Sequence, residues 1–217
     1  MKTFEQWDID DVERTFSLLA TRENQHLSAW LKAEHIPLPE EAFLLQHLQE
    51  DLLQNVDLWN EDELKFKFIA PLVSLARYNS EKFRVFTQRI LTATVRDRQE
   101  NEIVLSGRVD FVVATGKAKP IQPFFFLHEY KKERAAESDP RAQLLVEMIA
   151  SRALNAISYP LYGCYVVGRN WFFLVLDGNT YTESIEYSAS HEDDLRKIFS
   201  VLREAKIIIT RLAEQYA

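Results

Sequence analysis

Apolar residues recur at helical spacing along the first sixty positions of the chain. Two amphipathic helices are predicted there, over 11–31 and 40–58, and the prolines of His35–Pro39 interrupt the pattern between them. A third helix is predicted to begin at Asn60. Asn60 and Glu63, three residues later, have the spacing of a capping box, and apolar residues follow at helical intervals.

From residue 83 onward the apolar period changes to two, which is typical of β-strands. The strands predicted in this part of the chain are 83–91, 103–105, 108–114 and 124–131. The polar segment 96–101 predicts a turn between the first two strands, and 115–123 predicts a hairpin loop between the last two.

A further helix is predicted from Asp139 to about residue 157, since Asp is a favoured N-cap and Pro140 suits the first helical position. Strands over 161–167, 171–176 and 180–184 follow, and then a last helix after Ser190. This order predicts an α/β (α+β) fold with a central mixed β-sheet flanked by helices. Residues 1–59 are predicted to form a helical N-terminal extension, and 60–217 the main domain.

Composition removes several classes of function. The chain has 5 glycines in 217 residues, and none forms a G-x-G-x-x-G pattern or a P-loop, so phosphate-cradling glycine loops are excluded. The single cysteine, Cys164, excludes an internal disulfide. The first fourteen residues lack the apolar core of a signal peptide, and the apolar run 171–176 is too short for a membrane span. A cytoplasmic protein without a membrane partner is expected.

The net charge of −7 is unevenly distributed. Residues 1–59 hold 4 basic and 12 acidic side chains, a net charge of −8, whereas 60–152 hold 16 basic and 13 acidic side chains, a net charge of +3. Residues 153–217 hold 6 basic and 8 acidic side chains, a net charge of −2. The middle of the chain is therefore the part suited to a polyanionic partner.

One cluster of polar residues lies in that basic middle. Glu129 and Lys131 are two residues apart on a predicted strand and point to the same face. If the loop before this strand is centred near Lys119, Asp110 on the preceding strand lies opposite residue 128, within one residue of Glu129. Two carboxylates and an ammonium group are then neighbours across the ladder. Hard divalent cations such as Mg²⁺ bind such carboxylates, and a bound cation stabilises charge on a phosphate.

In this chain Asp110 is followed, after eighteen intervening residues, by Glu129-Tyr130-Lys131. This arrangement resembles the core motif of the PD-(D/E)XK nuclease superfamily. Val109 stands where the superfamily's named proline would be. The resemblance covers about residues 60–176.

The flanking segments are similar to the N-terminal nuclease domain of type I restriction enzyme R subunits. In those domains an acidic residue about ten positions before a helix proline faces the site. Relative to Pro71, Glu61 is the better match and Glu63 the runner-up. Gln143 matches the glutamine that those domains carry after the E-x-K strand.

This resemblance implies a Mg²⁺- or Mn²⁺-dependent hydrolase that cleaves phosphodiester bonds of nucleic acid, with DNA favoured over RNA. Asp110, Glu129 and the backbone carbonyl of Tyr130 would hold the metal. Lys131 would position the attacking water, Glu61 or Glu63 would bind a water of the metal, and Gln143 would steady that water or a phosphate. The basic residues expected to contact phosphates are Lys65, Lys67, Lys132, Arg134 and Arg141.

Each of these residues also has a purely structural interpretation. Glu129 and Lys131 would then mark a strand end that enters solvent, and Asp110 would form an ion pair with Lys131 or Arg108. Glu61 and Glu63 would interact with the helix N-terminus, and Gln143 would be an ordinary exposed helix residue. His128 alternates away from Glu129, so a packed histidine is expected. Cys164 and the aromatic runs 124–126 and 171–173 are expected in the core.

A second functional hypothesis follows from the negative net charge and the acidic N-terminal helices. The chain would then be a nuclease-fold domain that no longer cuts and serves in nucleic-acid binding, protein binding or assembly. Its N-terminal helices would contact a protein partner or a second copy of the chain.

Overall fold

An eight-stranded mixed β-sheet flanked by helices organises the chain, as the order of predicted elements indicated. The computed structural model describes residues 2–131, 139–155 and 159–216, of which 122–127 and Tyr216 are described by their backbone alone. The helices are α1 (Ile9–Phe16), α2 (Gln25–Leu31), α3 (Pro39–Asn55), α4 (Glu61–Leu64), α5 (Ala70–Leu75), α6 (Pro140–Leu154) and α7 (Glu192–Tyr216). The strands are β1 (Leu19–Ala20), β2 (Arg84–Arg96), β3 (Glu102–Thr115), β4 (Ile121–Lys131), β5 (Leu161–Val167), β6 (Asn170–Asp177), β7 (Thr180–Glu183) and β8 (Tyr187–Ser188).

The strand order is β1-β7-β6-β5-β4-β3-β2, with β8 paired to β6. Strands β2, β3 and β4 form an antiparallel meander, after which α6 returns the chain so that β5 runs parallel to β4. Strands β5, β6 and β7 form the two predicted hairpins, with Gly168 and Gly178 at positive φ in their turns. None of the helices in the described ranges has both the length and the apolar character that a membrane span requires.

The predicted single helix over 11–31 is wrong. Helix α1 ends at Phe16, where Ser17 adopts a left-handed conformation with φ of 53°. The chain then forms β1, which pairs in parallel with β7 through Leu19 and Thr180. A strand partner distant in sequence therefore overrides the local helical pattern.

The predicted strands 103–105 and 108–114 are one continuous strand, β3. Gly107 lies within it, and a Cβ atom at this position would be 2.4 Å from Cδ2 of Phe4. The glycine therefore does not end the strand but makes room for the ring of Phe4, which is 1% exposed.

The N-terminal helices share one hydrophobic core with the sheet. The indole Nε1 of Trp30 on α2 donates a hydrogen bond to the carbonyl of Val201 on α7 at 2.8 Å. The Trp30 ring also makes edge-to-face contacts with Tyr162 on β5 and Phe173 on β6, at centroid distances of 5.3 and 5.2 Å. Residues 1–59 thus contribute directly to the packing that supports the strands.

Candidate active site

The register of β3 and β4 brings Asp110 next to Glu129. Phe111 on β3 pairs with His128 on β4, and the two strands are antiparallel. Asp110, which precedes Phe111, therefore lies opposite Glu129, which follows His128. The prediction that Asp110 lies within one residue of the position opposite Glu129 is confirmed. Glu129 and Lys131 do share one face, since Nζ of Lys131 is 2.8 Å from Oε1 of Glu129.

Glu129 and Lys131 are buried rather than solvated. Glu129 is 1% exposed and Lys131 is 9% exposed, so the interpretation of these residues as a strand end in solvent is wrong. His128 is fully buried on the other face of the strand, where its Nδ1 lies 3.1 Å from Sγ of Cys164. The predicted packed roles of His128 and Cys164 are confirmed.

A cavity of about 680 Å³ contains most of the predicted site residues. The predicted residues that line it are Glu61, Lys65, Asp110, Glu129, Tyr130, Lys131 and Gln143. Apolar side chains, among them Ile69, Val73 and Phe111, form much of the remaining wall. One cavity therefore collects side chains from α4, β3, β4 and α6 together with the turn after α4.

That turn has an irregular backbone. Residues Lys65–Ile69 form a π-helical turn between α4 and α5, in which the amide of Ala70 donates a hydrogen bond to the carbonyl of Lys65. Such turns are frequently found at functional sites. Lys65 is the first residue of this turn and lines the cavity, where its Nζ is 2.6 Å from Oε1 of Glu61 and 2.9 Å from Oδ2 of Asp110.

Glu61 and Glu63 have different surroundings. Glu61 lines the cavity and shares the Lys65 ammonium group with Asp110. Glu63 completes the capping box with Asn60 and lies 3.2 Å from Nζ of Lys67, and it is not among the cavity-lining residues. Of the two glutamates, Glu61 is the one that faces the site.

Asp110 is held by several donors. Its Oδ1 accepts hydrogen bonds from Nε2 of Gln88 at 2.6 Å and from Nζ of Lys65 at 3.0 Å, and its Oδ2 accepts one from the backbone amide of Tyr130 at 3.3 Å. The cation paired with Asp110 is therefore Lys65, and neither Lys131 nor Arg108, the expected partners, forms that pair.

Sequence reasoning missed Gln88. This residue lies opposite Asp110 in the β2–β3 ladder and has a φ of 54°, although it is not glycine. Strained backbone of this kind concentrates at functional sites. The sequence carries no signal for it, because a glutamine in a strand pattern predicts ordinary extended backbone.

Sequence reasoning also missed Glu147 on α6. Gln143 is 2% exposed, which excludes the exposed-helix interpretation, and its Nε2 lies 3.3 Å from Oε1 of the fully buried Glu147. Oε1 of Gln143 and Oε2 of Glu147 have no hydrogen-bond partner among the described residues. The side-chain carbonyl of Gln143 is therefore the end available to a water or substrate. The sequence signal is a glutamate four residues after Gln143 within an otherwise apolar helix segment.

Both lysines of the site are charged at neutral pH. Burial acts to lower the pKa of Lys131, but Glu129 outweighs it, and the pKa is raised above its ordinary value. The same balance holds for Lys65, whose pKa Asp110 and Glu61 raise against the effect of burial. Lys131 is thus a hydrogen-bond donor and a point charge rather than a proton acceptor.

Burial, followed by repulsion from Asp110, raises the pKa of Glu129 to about 8, although Lys131 opposes the shift. A metal binds the ionised carboxylate, so protonation of Glu129 competes with metal binding below that pKa. We therefore expect Mn²⁺ affinity to rise about tenfold per pH unit from pH 6 to 8 and then to level off. Calorimetric titration at each pH checks this, and Glu129→Gln is the control, which should lose the pH dependence. A flat affinity between pH 6 and 8 in the unmodified protein would contradict it.

The donor set fits Mg²⁺ or Mn²⁺, because it offers two carboxylates and a backbone carbonyl, all hard oxygen ligands. Oε2 of Glu129 is buried and has no partner among the described residues, so it is free to accept a ligand. No group of three or more His, Cys, Asp or Glu side chains within the described ranges is arranged to hold a metal. A cation here would therefore rely on Asp110, Glu129, the carbonyl of Tyr130 and solvent.

Two of the basic residues expected to contact phosphates form ion pairs with acidic residues outside the cavity. Lys67 pairs with Glu63, and NH1 of Arg141 is 3.2 Å from Oε2 of Glu183. The two other expected contacts, Lys132 and Arg134, lie outside the described residues, as do the side chains of 124–126. Arg108 lines the cavity, and its guanidinium group forms no hydrogen bond or ion pair with any described residue, so that group is available to a phosphate.

No family model matches the sequence, and a comparison with curated proteins finds no match.

Proposed function

We propose that the protein is a divalent-metal-dependent nuclease that hydrolyses phosphodiester bonds of nucleic acid, with DNA as the favoured substrate. The observation that carries the proposal is the convergence of Glu61, Asp110, Glu129, Lys131 and Gln143 in one cavity, from four separate elements.

The chemistry divides between the carboxylate pair and the donors around it. Asp110, Glu129 and the carbonyl of Tyr130 would hold Mg²⁺ or Mn²⁺, which when bound stabilises negative charge on a phosphate and acidifies a nearby water. Lys131 is charged and therefore orients the attacking water or the phosphate by donating hydrogen bonds. It does not remove the proton of that water.

Gln143 is the second residue that would contact the attacking water. Its amide nitrogen lies at hydrogen-bond distance from Glu147, so its carbonyl oxygen can accept a hydrogen bond from the attacking water and orient a lone pair of that water toward phosphorus. A new bond then forms between the water oxygen and phosphorus while the bond from phosphorus to the leaving oxygen breaks. The attacking water gives up one proton to solvent, and the leaving oxygen takes one from solvent. The apolar wall of the cavity lowers the local dielectric and strengthens these interactions.

The test is cleavage of single-stranded DNA, double-stranded DNA and RNA in Mg²⁺, in Mn²⁺ and in chelator. We expect cleavage that the chelator abolishes, and a roughly 10²-fold slower rate for Lys131→Ala, because one preorganised donor at the reacting phosphate is lost. Lys82→Ala, at an exposed lysine that pairs with Glu214, is the matched control. Equal rates for Lys131→Ala and the unmodified protein would overturn the proposal.

A second candidate function rests on the ion pairs of the site. Lys65 and Lys131 already contact the carboxyl groups of Asp110 and Glu129. A domain that binds nucleic acid or protein without cutting is consistent with carboxyl groups that are already engaged. The same experiment separates the two functions: retention of labelled oligonucleotides without cleavage in either metal supports binding alone.

A further inference from the structure

A single ammonium group lies between the acidic residues of α4 and β3. Nζ of Lys65 is 2.6 Å from Oε1 of Glu61 and 2.9 and 3.0 Å from Oδ2 and Oδ1 of Asp110. Lys65 thus contacts two carboxylates on two elements with one charge. The sequence had suggested that Lys65 contacts phosphates, but here it binds the acids of the site.

The acceptor capacity of Asp110 is already in use. A carboxylate offers about four lone-pair positions. Oδ1 accepts from Gln88 and Lys65, and Oδ2 accepts from the backbone amide of Tyr130 and also contacts Lys65. A cation can bind Asp110 only after one of these donors has left.

Lys65 is the donor whose departure a cation requires, because it is the charged one, whereas the side-chain amide of Gln88 carries no charge. The amide of Tyr130 is fixed in β4, whereas Lys65 is attached through a flexible four-carbon chain. An ammonium group and a divalent cation also repel each other at the distances at which both would contact one carboxylate. The cavity of about 680 Å³ beside Lys65 gives the displaced side chain room to move.

Glu129 differs from Asp110 in this respect. Lys131 contacts only its Oε1, and Oε2 of Glu129 is without a partner among the described residues. Glu129 can therefore receive a cation while it keeps its contact with Lys131. This asymmetry identifies Lys65, and not Lys131, as the obstacle to metal binding.

We propose that Lys65 is an internal cation of the site that a divalent metal must displace from Asp110, so that Lys65 sets the metal affinity. The inference rests on the metal site of the proposed function, but it does not require that the protein cut nucleic acid.

The experiment measures Mn²⁺ affinity by electron paramagnetic resonance for the unmodified protein, Lys65→Met and Arg108→Met. Methionine keeps most of the length of lysine and removes the charge. In the unmodified protein the metal must break the charged hydrogen bond from Lys65 to Asp110, whereas in Lys65→Met that bond is already absent. We therefore expect Lys65→Met to bind Mn²⁺ about tenfold to a hundredfold more tightly. Arg108→Met also removes one positive charge from the cavity wall, but Arg108 has no contact with Asp110, so a change of about threefold or less is expected.

Tighter binding by Lys65→Met alone supports the proposal. Equal affinity in Lys65→Met and the unmodified protein, or an equal gain in Arg108→Met, overturns it. If the unmodified protein and both variants bind no Mn²⁺ at millimolar concentration, this proposal and the metal site fall together. If Lys65→Met binds more tightly and no protein cuts nucleic acid, the inference stands and the nuclease function falls.

A second measurement on the unmodified protein covers the case in which Lys65→Met does not fold. The side-chain ¹⁵N resonance of Lys65 should shift when Mg²⁺ is added, because its contact with Asp110 is lost. The resonance of Lys67, which pairs with Glu63 outside the cavity, is the internal control. A Lys65 resonance unmoved at saturating Mg²⁺ would overturn the proposal.

Discussion

Replacing Asp110 by asparagine is expected to slow metal-dependent cleavage by about 10³-fold, because the substitution removes a charged ligand and leaves the other donors of the site in place. Asparagine is close in size to aspartate, so its packing against β4 is kept. The rates of cleavage in Mg²⁺ and in Mn²⁺ are the measurement.

Asp62→Asn is the matched control. Asp62 lines the same cavity and follows Glu61 on α4, and its carboxylate forms no hydrogen bond or ion pair with a described residue. The control removes the same charge by the same chemical change, and we expect a rate within about threefold of the unmodified protein. A similar loss in both variants would show that the cavity responds only to its total charge, and a retained rate in Asp110→Asn would show that Asp110 holds no metal.

The second large effect concerns stability. Trp30→Ala is expected to lower the free energy of unfolding by about 3–5 kcal/mol, since the substitution leaves a large cavity in the core. It also leaves the carbonyl of Val201 without its indole donor. Chemical denaturation followed by circular dichroism measures the change.

Phe43→Ala is the control for that experiment. Phe43 is on α3, also within the first 59 residues, but it is 75% exposed, so a change of about 0.5 kcal/mol or less is expected. A loss below about 1 kcal/mol for Trp30→Ala would show that the N-terminal helices contribute little to the common core.

The central part of the site could be predicted because it depends on local geometry. One hairpin loop separates β3 from β4, so the loop centre was sufficient to place Asp110 within one residue of the position opposite Glu129. The remaining residue depends on the register shifts on either side of Ala114, which the sequence pattern does not predict. The shared face of Glu129 and Lys131 follows from the period of two alone.

The choice between Glu61 and Glu63 could not be made from sequence. Both glutamates lie in the first turn of a helix, where either satisfies the helix N-terminus. The choice depends on the tertiary contact by which Lys65 joins Glu61 on α4 to Asp110 on β3, and the pattern of apolar residues does not predict that contact.

Contacts between distant segments account for the remaining misses. The break between α1 and α2 depends on pairing with β7, which lies far along the chain. The left-handed backbone of Gln88 depends on its place opposite Asp110 in the β2–β3 ladder. The burial of Glu147 depends on the sheet that covers α6. A local pattern carries no information on these partners.

The central claim, that Asp110 and Glu129 together hold a divalent cation, is tested most directly by anomalous X-ray scattering from crystals soaked in Mn²⁺. We expect one strong anomalous peak at bonding distance from a carboxylate oxygen of each residue, about 2.1 Å for a hard cation of this kind. The Nζ of Lys65 should then lie away from Asp110. A peak elsewhere, or no peak at millimolar Mn²⁺ with Lys65 still on Asp110, would contradict the account.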